Sequence, residues 1–355
     1  MLALLSVGVA AGAEITVPAG FRVDVYAEKL GGARALAVDP EGVLLVSIAS
    51  RGRVVALRER RGIGRATDVV TILENLELPH GLAFRGGHLY VAETGRIVRY
   101  RYHARTQTAV EPTVVVRGLP HAAHHWTRSI AFGPDDKLYV GIGSSCDVCR
   151  ERDPRRAAIV RYNADGSGEQ LFATGLRNPV GLAFHPTTGA LWTTVNERDW
   201  PASGAPPDYV TEVRQGAAYG WPQCFAQGRA FLRDPTLDGA HGCRAMTLPT
   251  LELSPHAAPL GLVFYTGAQF PAEYFGDLFV ALHGSRPGLL AVGYMIVRVR
   301  FRNGHVVGVE EFSTGWRDGE RVIGRPVDLA IGRDGSLYVS DDHADRIHRV
   351  SYGRR

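Results

Sequence analysis

The sequence lacks helical periodicity: nowhere do apolar residues recur with the 3.6-residue spacing of an amphipathic helix over the roughly 11 residues that such a helix needs. An α/β fold joins its parallel strands through crossover helices, so this absence excludes that class. Long apolar runs are missing as well. The one apolar segment, Met1 to Ala13, falls short of the about 20 residues required to span a bilayer. Charge is sparse, at 21% of residues, and never gathers into runs. Lys and Arg together number 40 against 36 for Asp and Glu; nearly all the cations are arginines scattered along the chain, which argues against a nucleic-acid-binding arm. The formal charge of +4 reads as a solvated surface with a few arginines available to bind anions inside a cleft.

Cysteine is scarce too, with four in 355 residues, but the count is even and the spacing is informative. Cys146 and Cys149 form a close pair and Cys224 and Cys243 a wider one, and two local disulfides are the simplest account. A zinc half-site or a c-type haem attachment competes for the close pair. Arg150 stands where the haem motif needs histidine, however, and no second CxxC completes a zinc site. Residues 1–13 end in Ala11-Gly12-Ala13, the small-residue pattern of a signal-peptidase cut, although no basic residues precede the apolar stretch. Export to the periplasm or beyond is the expectation, with residues 14–355 forming a single mature domain.

What the chain does contain is a repeat. A short apolar strand, a turn rich in Pro, Asp or Gly, and a second strand of Leu-Tyr-Val type recur at Leu36 to Ser47, Leu82 to Ala92, Ile130 to Gly141, Leu182 to Thr193, Leu262 to Ala281 and Leu329 to Ser340. Turns of this composition supply the positive φ angles of tight hairpins. Third strands follow at Arg53 to Leu57, Arg96 to Tyr100, Ala158 to Tyr162 and Arg346 to Ser351. Six hairpins with added strands at so long a period predict an all-β, six-bladed β-propeller rather than a sandwich. The strand Phe21 to Ala27 has no hairpin partner of its own and is expected to close the last blade beside the C-terminal strand, removing open edges.

Polar clusters sit at the boundaries of these repeats. His121, His124 and His125 precede the third, and a histidine there can act as a base near neutral pH or remain a solvated loop residue. Arg177 and Asn178 precede the fourth, before a proline-fixed turn; they offer either a clamp for a carboxylate-bearing or quinone-like group or an arginine paired with a neighbouring blade. Asn196, Glu197, Arg198 and Asp199, with Asp208 and the Tyr219-Gly220-Trp221-Pro222 segment, collect the hard oxygens that favour calcium over zinc, or simply form an acidic loop. His256 before the fifth repeat and Arg325 before the sixth complete the series. Clusters at equivalent ends of successive blades converge on one axial mouth.

These residues resemble the soluble quinoprotein glucose dehydrogenase and sorbosone dehydrogenase family. The resemblance runs from about Pro18 to Tyr352, through HHWTR before FGPDDKLYVGIG, GLRNPVGLAFHP, NERD with PPDYVTEV and YGWP, HAAPLG with FYTG, HGS, and GRPVD with DGSLYVSDD. It implies pyrroloquinoline quinone (PQQ) and calcium as cofactors, a sugar or aldehyde as substrate and an external electron acceptor. It assigns the proton-accepting base to His125, with His124 as its neighbour, and the quinone-side pair to Arg177 and Asn178. It gives Arg325 to a cofactor carboxylate, puts Thr266 where the family has a cofactor-contacting lysine, and places Val180 where it has a glutamine. Calcium falls to Asn196, Glu197 and Arg198, through backbone oxygens, with Asp208 nearby. Two other functions fit a propeller: a calcium-dependent lactonase, which would hold its metal on acidic side chains deep in the central channel, and a non-catalytic binding protein.

Overall fold

The computed structural model describes residues 14–60, 62–121, 124–200, 204–237, 242–243, 245–286 and 291–353. The expected leader at 1–13 lies outside the described residues. Among the described residues the regular structure is β-strand with two single-turn 3₁₀ segments, and no helix is long and apolar enough to cross a membrane.

Six four-stranded antiparallel sheets form the blades. Blade 1 runs outward through Leu36–Val38, Leu44–Ile48, Arg53–Arg58 and Asp68–Leu73, and the next four blades repeat this order from inner strands Leu82–Arg85, Arg128–Phe132, Pro179–Phe184 and Pro259–Phe264. Blade 6 takes Pro326–Ile331, Leu337–Asp341 and Arg346–Tyr352, then borrows the N-terminal Phe21–Glu28 as its outer strand. This is the closure expected from the unpartnered first strand. It is locked by Phe21, whose ring meets Phe270 at 4.7 Å and Phe312 at 5.2 Å, edge to face. Each six-fold hairpin read from the sequence is the inner pair of a blade.

The second strands are buried along all or nearly all of their length, as in Leu138–Ile142 and Leu278–Leu282. Both faces of such a strand press on neighbouring blades, so apolar residues follow one another in it instead of alternating with polar ones, as in LYVGI and LFVAL. Six apolar clusters fill the six gaps between consecutive blades. Fully burying one of their Val or Leu side chains contributes about 1.5–3 kcal/mol, so the ring is closed by repetition of one kind of contact.

The inner strands lie side by side around a channel of about 430 Å³. They run parallel and in step, because equivalent positions meet: a Cβ on Gly181 would fall 2.5 Å from Leu260 O, and one on Gly261 would fall 2.6 Å from Asp328 Cα. Only glycine permits that approach. All six strands therefore start at the same end of the ring, called here the upper rim, and finish in hairpin turns at the lower rim. Val180, Leu260 and Val327 pack together where three of them start, narrowing the top of the channel with apolar side chains.

Candidate functional site

Every connection between blades arrives at the upper rim, and the residues just before the inner strands gather there. A cavity of about 410 Å³ opens among His125, Arg177, Asn178, Asn196, Asp208 and His256. His125 and Arg177, the two groups on which the sequence reading depends, thus line one space.

His125 adopts a left-handed backbone conformation, φ 55°, which is costly for a residue with a side chain. Its Nδ1 lies 2.9 Å from Ser144 O. A carbonyl can only accept, so Nδ1 carries the proton and Nε2 keeps its lone pair. Burial, reinforced by the positive charge of Arg177, pushes its pKa down to about 3. The imidazole is neutral throughout the physiological range.

Arg177 is 1% exposed. Its Nε donates to Asp147 O at 3.2 Å, Nη1 to Asn196 O at 3.2 Å and Glu197 O at 2.6 Å, and Nη2 to Asp147 Oδ1 at 2.8 Å, with Asp199 Oδ2 at 3.5 Å. Four of the five N–H groups of the guanidinium are thus donated, and the remaining one belongs to Nη2, which faces the Asp199 carboxylate at ion-pair distance. What Arg177 offers the cavity is a fixed positive charge, not a free donor. Asn178 is different: its Oδ1 is buried without a hydrogen-bond partner, as is His256 Nε2 across the cavity. Two orphaned polar atoms in one cavity mark places that a ligand can satisfy. Gly143 lets Asn178 and His125 pack close to the chain, since a Cβ there would lie 2.4 Å from Asn178 Oδ1 and 2.5 Å from His125 Cβ.

The residues expected around calcium divide. Asn196 lines the cavity, with its Nδ2 donated to Pro259 O at 2.9 Å so that Oδ1 stays available. Asp208 lines it too, but its two oxygens accept from Glu197 N at 2.7 Å and Ala258 N at 2.8 Å. Burial raises its pKa to about 7. Its carboxyl holds the turn in place. Glu197 lines the cavity as well, but its carboxylate is engaged by Arg198 Nη1 at 2.5 Å, and Arg198 is fixed inside the insert by Asp234 Oδ2 at 2.6 Å and by Pro222 O and Cys224 O. The Arg198 side chain rivets the insert and is turned away from the cavity.

Two further expectations are displaced. Thr266 follows the end of its inner strand, beside the lower-rim turn at Gly335, where the neighbouring Gly267 packs. It stands a strand's length from His125 and is not in the same site. Arg325 is close but one layer back: its guanidinium donates to His283 O at 3.0 Å, to Gly284 O and to Ser285 O at 3.2 Å, while Gly284 and Ser285 form the cavity wall. His124 is exposed, with its ring centroid 6.1 Å from that of His125.

The other half of the rim carries a network that joins the HGS and DGSLYVSDD motifs to Arg34, a residue that the sequence did not single out. Asp342 Oδ2 pairs with Arg34 Nη1 at 2.6 Å and its Oδ1 with His283 Nε2 at 2.9 Å. Burial alone would raise the Asp342 pKa, but the contacts with His283 and Arg34 hold its carboxyl well below the usual range. Arg34 also lies 5.7 Å from the Trp126 ring, which meets His80 edge-on at 5.6 Å. Position before an inner strand, the signal that found His125 and Arg177, applies equally to Arg34 and His80.

Both expected disulfides are formed, Cys146–Cys149 and Cys224–Cys243. Glu151, beside the first, accepts from Ser145 N and Oγ. The sulfurs are spent on each other and the zinc reading of the close pair falls away.

The chain is 27% identical over 361 residues to an uncharacterized protein of Borreliella burgdorferi, covering 95% of this chain and 91% of that one. It is 26% identical to a pyrroloquinoline quinone-dependent pyranose dehydrogenase of Coprinopsis cinerea over 94% of this chain, which spans only 54% of that enzyme's length. The solved structure of a Trichoderma reesei carbohydrate-active enzyme of family AA12 superposes with a TM-score of 0.84 at 22% identity, covering 96% of this chain and 98% of the other. That superposition concerns the fold, and the match along the sequence settles the kinship: over residues 15–352 this chain belongs to the TrAA12-like family.

Proposed function

We propose that this protein is a sugar or aldehyde dehydrogenase that passes hydride to pyrroloquinoline quinone, with His125 as the general base and calcium beside the quinone. The observation that carries the reading is the shared cavity, where a half-buried neutral imidazole with a free Nε2 stands beside the fixed charge of Arg177 and the unsatisfied Asn178 Oδ1 and His256 Nε2. Kinship with the Coprinopsis pyranose dehydrogenase supports the cofactor and the substrate class.

The quinone, when bound, supplies the two-electron acceptor, and calcium supplies a Lewis acid. Asn178 and Asn196 offer side-chain oxygens suited to a hard cation. His125 Nε2 takes the proton of the substrate hydroxyl, while the Nδ1 bond to Ser144 O keeps the ring in the accepting tautomer and orientation. Arg177 stabilises negative charge that develops in the cavity through its field, since its donors are already committed. Asn178 and His256 orient what enters.

The lactonase reading gains no support from the channel. Among the described residues that line it Asp328 is the lone acid, and its two oxygens accept from Leu36 N and Leu329 N. A protein exported to the periplasm or outside the cell, built as one propeller over residues 14–355 and reduced by its substrate, would hand electrons to an external acceptor. Its disulfides suit such a compartment. Reconstitution tests the proposal: apoprotein with quinone and Ca²⁺ should reduce a redox dye when given aldoses or aldehydes. Silence with saturating cofactors across a panel of both would sink it.

A further inference from the structure

One residue outside the expected set ties the cavity together. Asp147 lies between the two cysteines of the close disulfide, and it accepts four hydrogen bonds from three distant segments. Its backbone oxygen takes Arg177 Nε at 3.2 Å and Trp221 Nε1 at 3.0 Å; its Oδ1 takes Arg177 Nη2 at 2.8 Å and Asp199 N at 2.9 Å. The same short segment also fixes the base. Ser144 O receives His125 Nδ1, and Ser144 Oγ donates to Cys146 O at 2.6 Å. Residues 144–149 therefore set the positions of both His125 and Arg177.

We infer that Asp147 is a positioning residue for the cavity and that the Cys146–Cys149 disulfide serves to hold it there. Three physical points support this. The Asp147 side chain is 39% exposed, so it is not an element of the blade core and its contacts are not a by-product of packing. A segment bearing no regular structure between Ile142 and Ala158 would leave its acceptors mobile, and closing Cys146 to Cys149 restricts the residues between them. Arg177 needs its acceptors as much as they need it. Without the Asp147 carboxylate, Nη2 of a guanidinium buried to 1% exposure keeps only the more distant Asp199 Oδ2 at 3.5 Å, and its position is less closely set.

For the reaction the consequence rests on the dehydrogenase reading, but the positioning itself can be measured without it. Hydrogen exchange on apoprotein is the first arm. Asp147→Ala is expected to speed exchange of the Asp199 amide about tenfold or more while blade amides such as those of Leu44–Ile48 keep their protection. Asp147→Asn retains a side-chain oxygen acceptor and should restore most of that protection. Cys146→Ser with Cys149→Ser should resemble Asp147→Ala although Asp147 is intact. Unchanged exchange at Asp199 in Asp147→Ala overturns the inference, whatever the protein binds. The second arm is titration with quinone and Ca²⁺, read by absorbance: Asp147→Ala should weaken binding at least about tenfold and Asp147→Asn less than about threefold. Equal affinity of Asp147→Ala and the unaltered protein would sever Asp147 from the site. Failure of the unaltered protein to bind quinone would count against the dehydrogenase reading alone, because the exchange result stands apart from it.

Discussion

The two rims of the ring are built on opposite ends of the same six inner strands, yet they use their polar residues in different ways. At the lower rim the chain turns back within a blade, and the carboxylates there are consumed by the turns: Asp39 Oδ1 accepts from Glu41 N and Val43 N, and Asp334 caps Ser336. At the upper rim the chain must travel from the outer edge of one blade to the centre of the next. Those connections bring in His125, Arg177, Asn178 and His256, and two of them keep polar atoms with no partner in the protein. A rigid scaffold with long connections at one end concentrates function there. The difference teaches that in this architecture position relative to the inner strand, before it or after it, matters more than residue type.

The comparison is broken most directly at Arg177. Arg177→Met should abolish most activity, by about 10³-fold or more, since a fixed charge beside His125 is lost. It should also lower stability by about 1–3 kcal/mol, because the Asn196 and Glu197 carbonyls lose their donor while the half-exposed Asp147 is rescued by solvent. Steady-state kinetics with a thermal melt measures both. His125→Ala comes next. Removing a general base typically costs 10²–10⁴-fold in turnover. Its ring is held by Ser144, and the blades do not depend on it, so the melting temperature should stay nearly unchanged. Equal activity in either variant would mean that the upper rim is not where the chemistry happens.

The six hairpins and the closing strand were legible because each carries its own local signature: alternating or continuous apolar runs around a turn. The outer strands were not. Gln170–Thr174 and His305–Ser313 present mixed, exposed faces, and Leu251–Glu252 is only two residues long, so neither periodicity nor propensity marks them. In the site, His125 with Arg177 and Asn178 could be found from their place before an inner strand. Thr266 misled because the resemblance supplied only its order among the motifs, and in the fold that place falls after an inner strand, at the lower rim. Arg198 was named for its backbone oxygen, and the part its side chain plays was not legible, because only the fold reveals that Asp234, 36 residues later, claims it. Asp147 was hidden by the cysteines on either side, whose spacing invited a reading of the sulfurs and not of the carboxylate between them.

The depressed pKa of His125 sharpens the comparison through pH. A base works when unprotonated, so a pKa lowered from 6.5 to about 3 moves the acid limb of the activity profile downward, not upward. For the apoprotein, NMR titration of the His125 ring should show no protonation between pH 5 and 8, where an exposed histidine changes charge. An ordinary midpoint near 6.5 would mean that the ring is solvated and that Arg177 does not act on it. The same reasoning predicts that Arg177→Met raises the His125 pKa, since the second cause of its depression has gone.

The smallest expected effect tests the other rim. Thr266→Ala removes a hydroxyl from an exposed side chain beside the lower-rim turn at Gly335, with no carboxylate or imidazole of the cavity near it. Surface substitutions of this kind usually change stability by no more than about 0.5 kcal/mol, and nothing links this one to the reacting groups. Activity and quinone affinity should remain within about twofold of the unaltered protein. A loss comparable to that of His125→Ala would require the ligand to reach through the channel past Val180, Leu260 and Val327, whose packed side chains narrow its upper end. The division of labour between the rims therefore stands or falls with a residue that, by geometry, should do nothing.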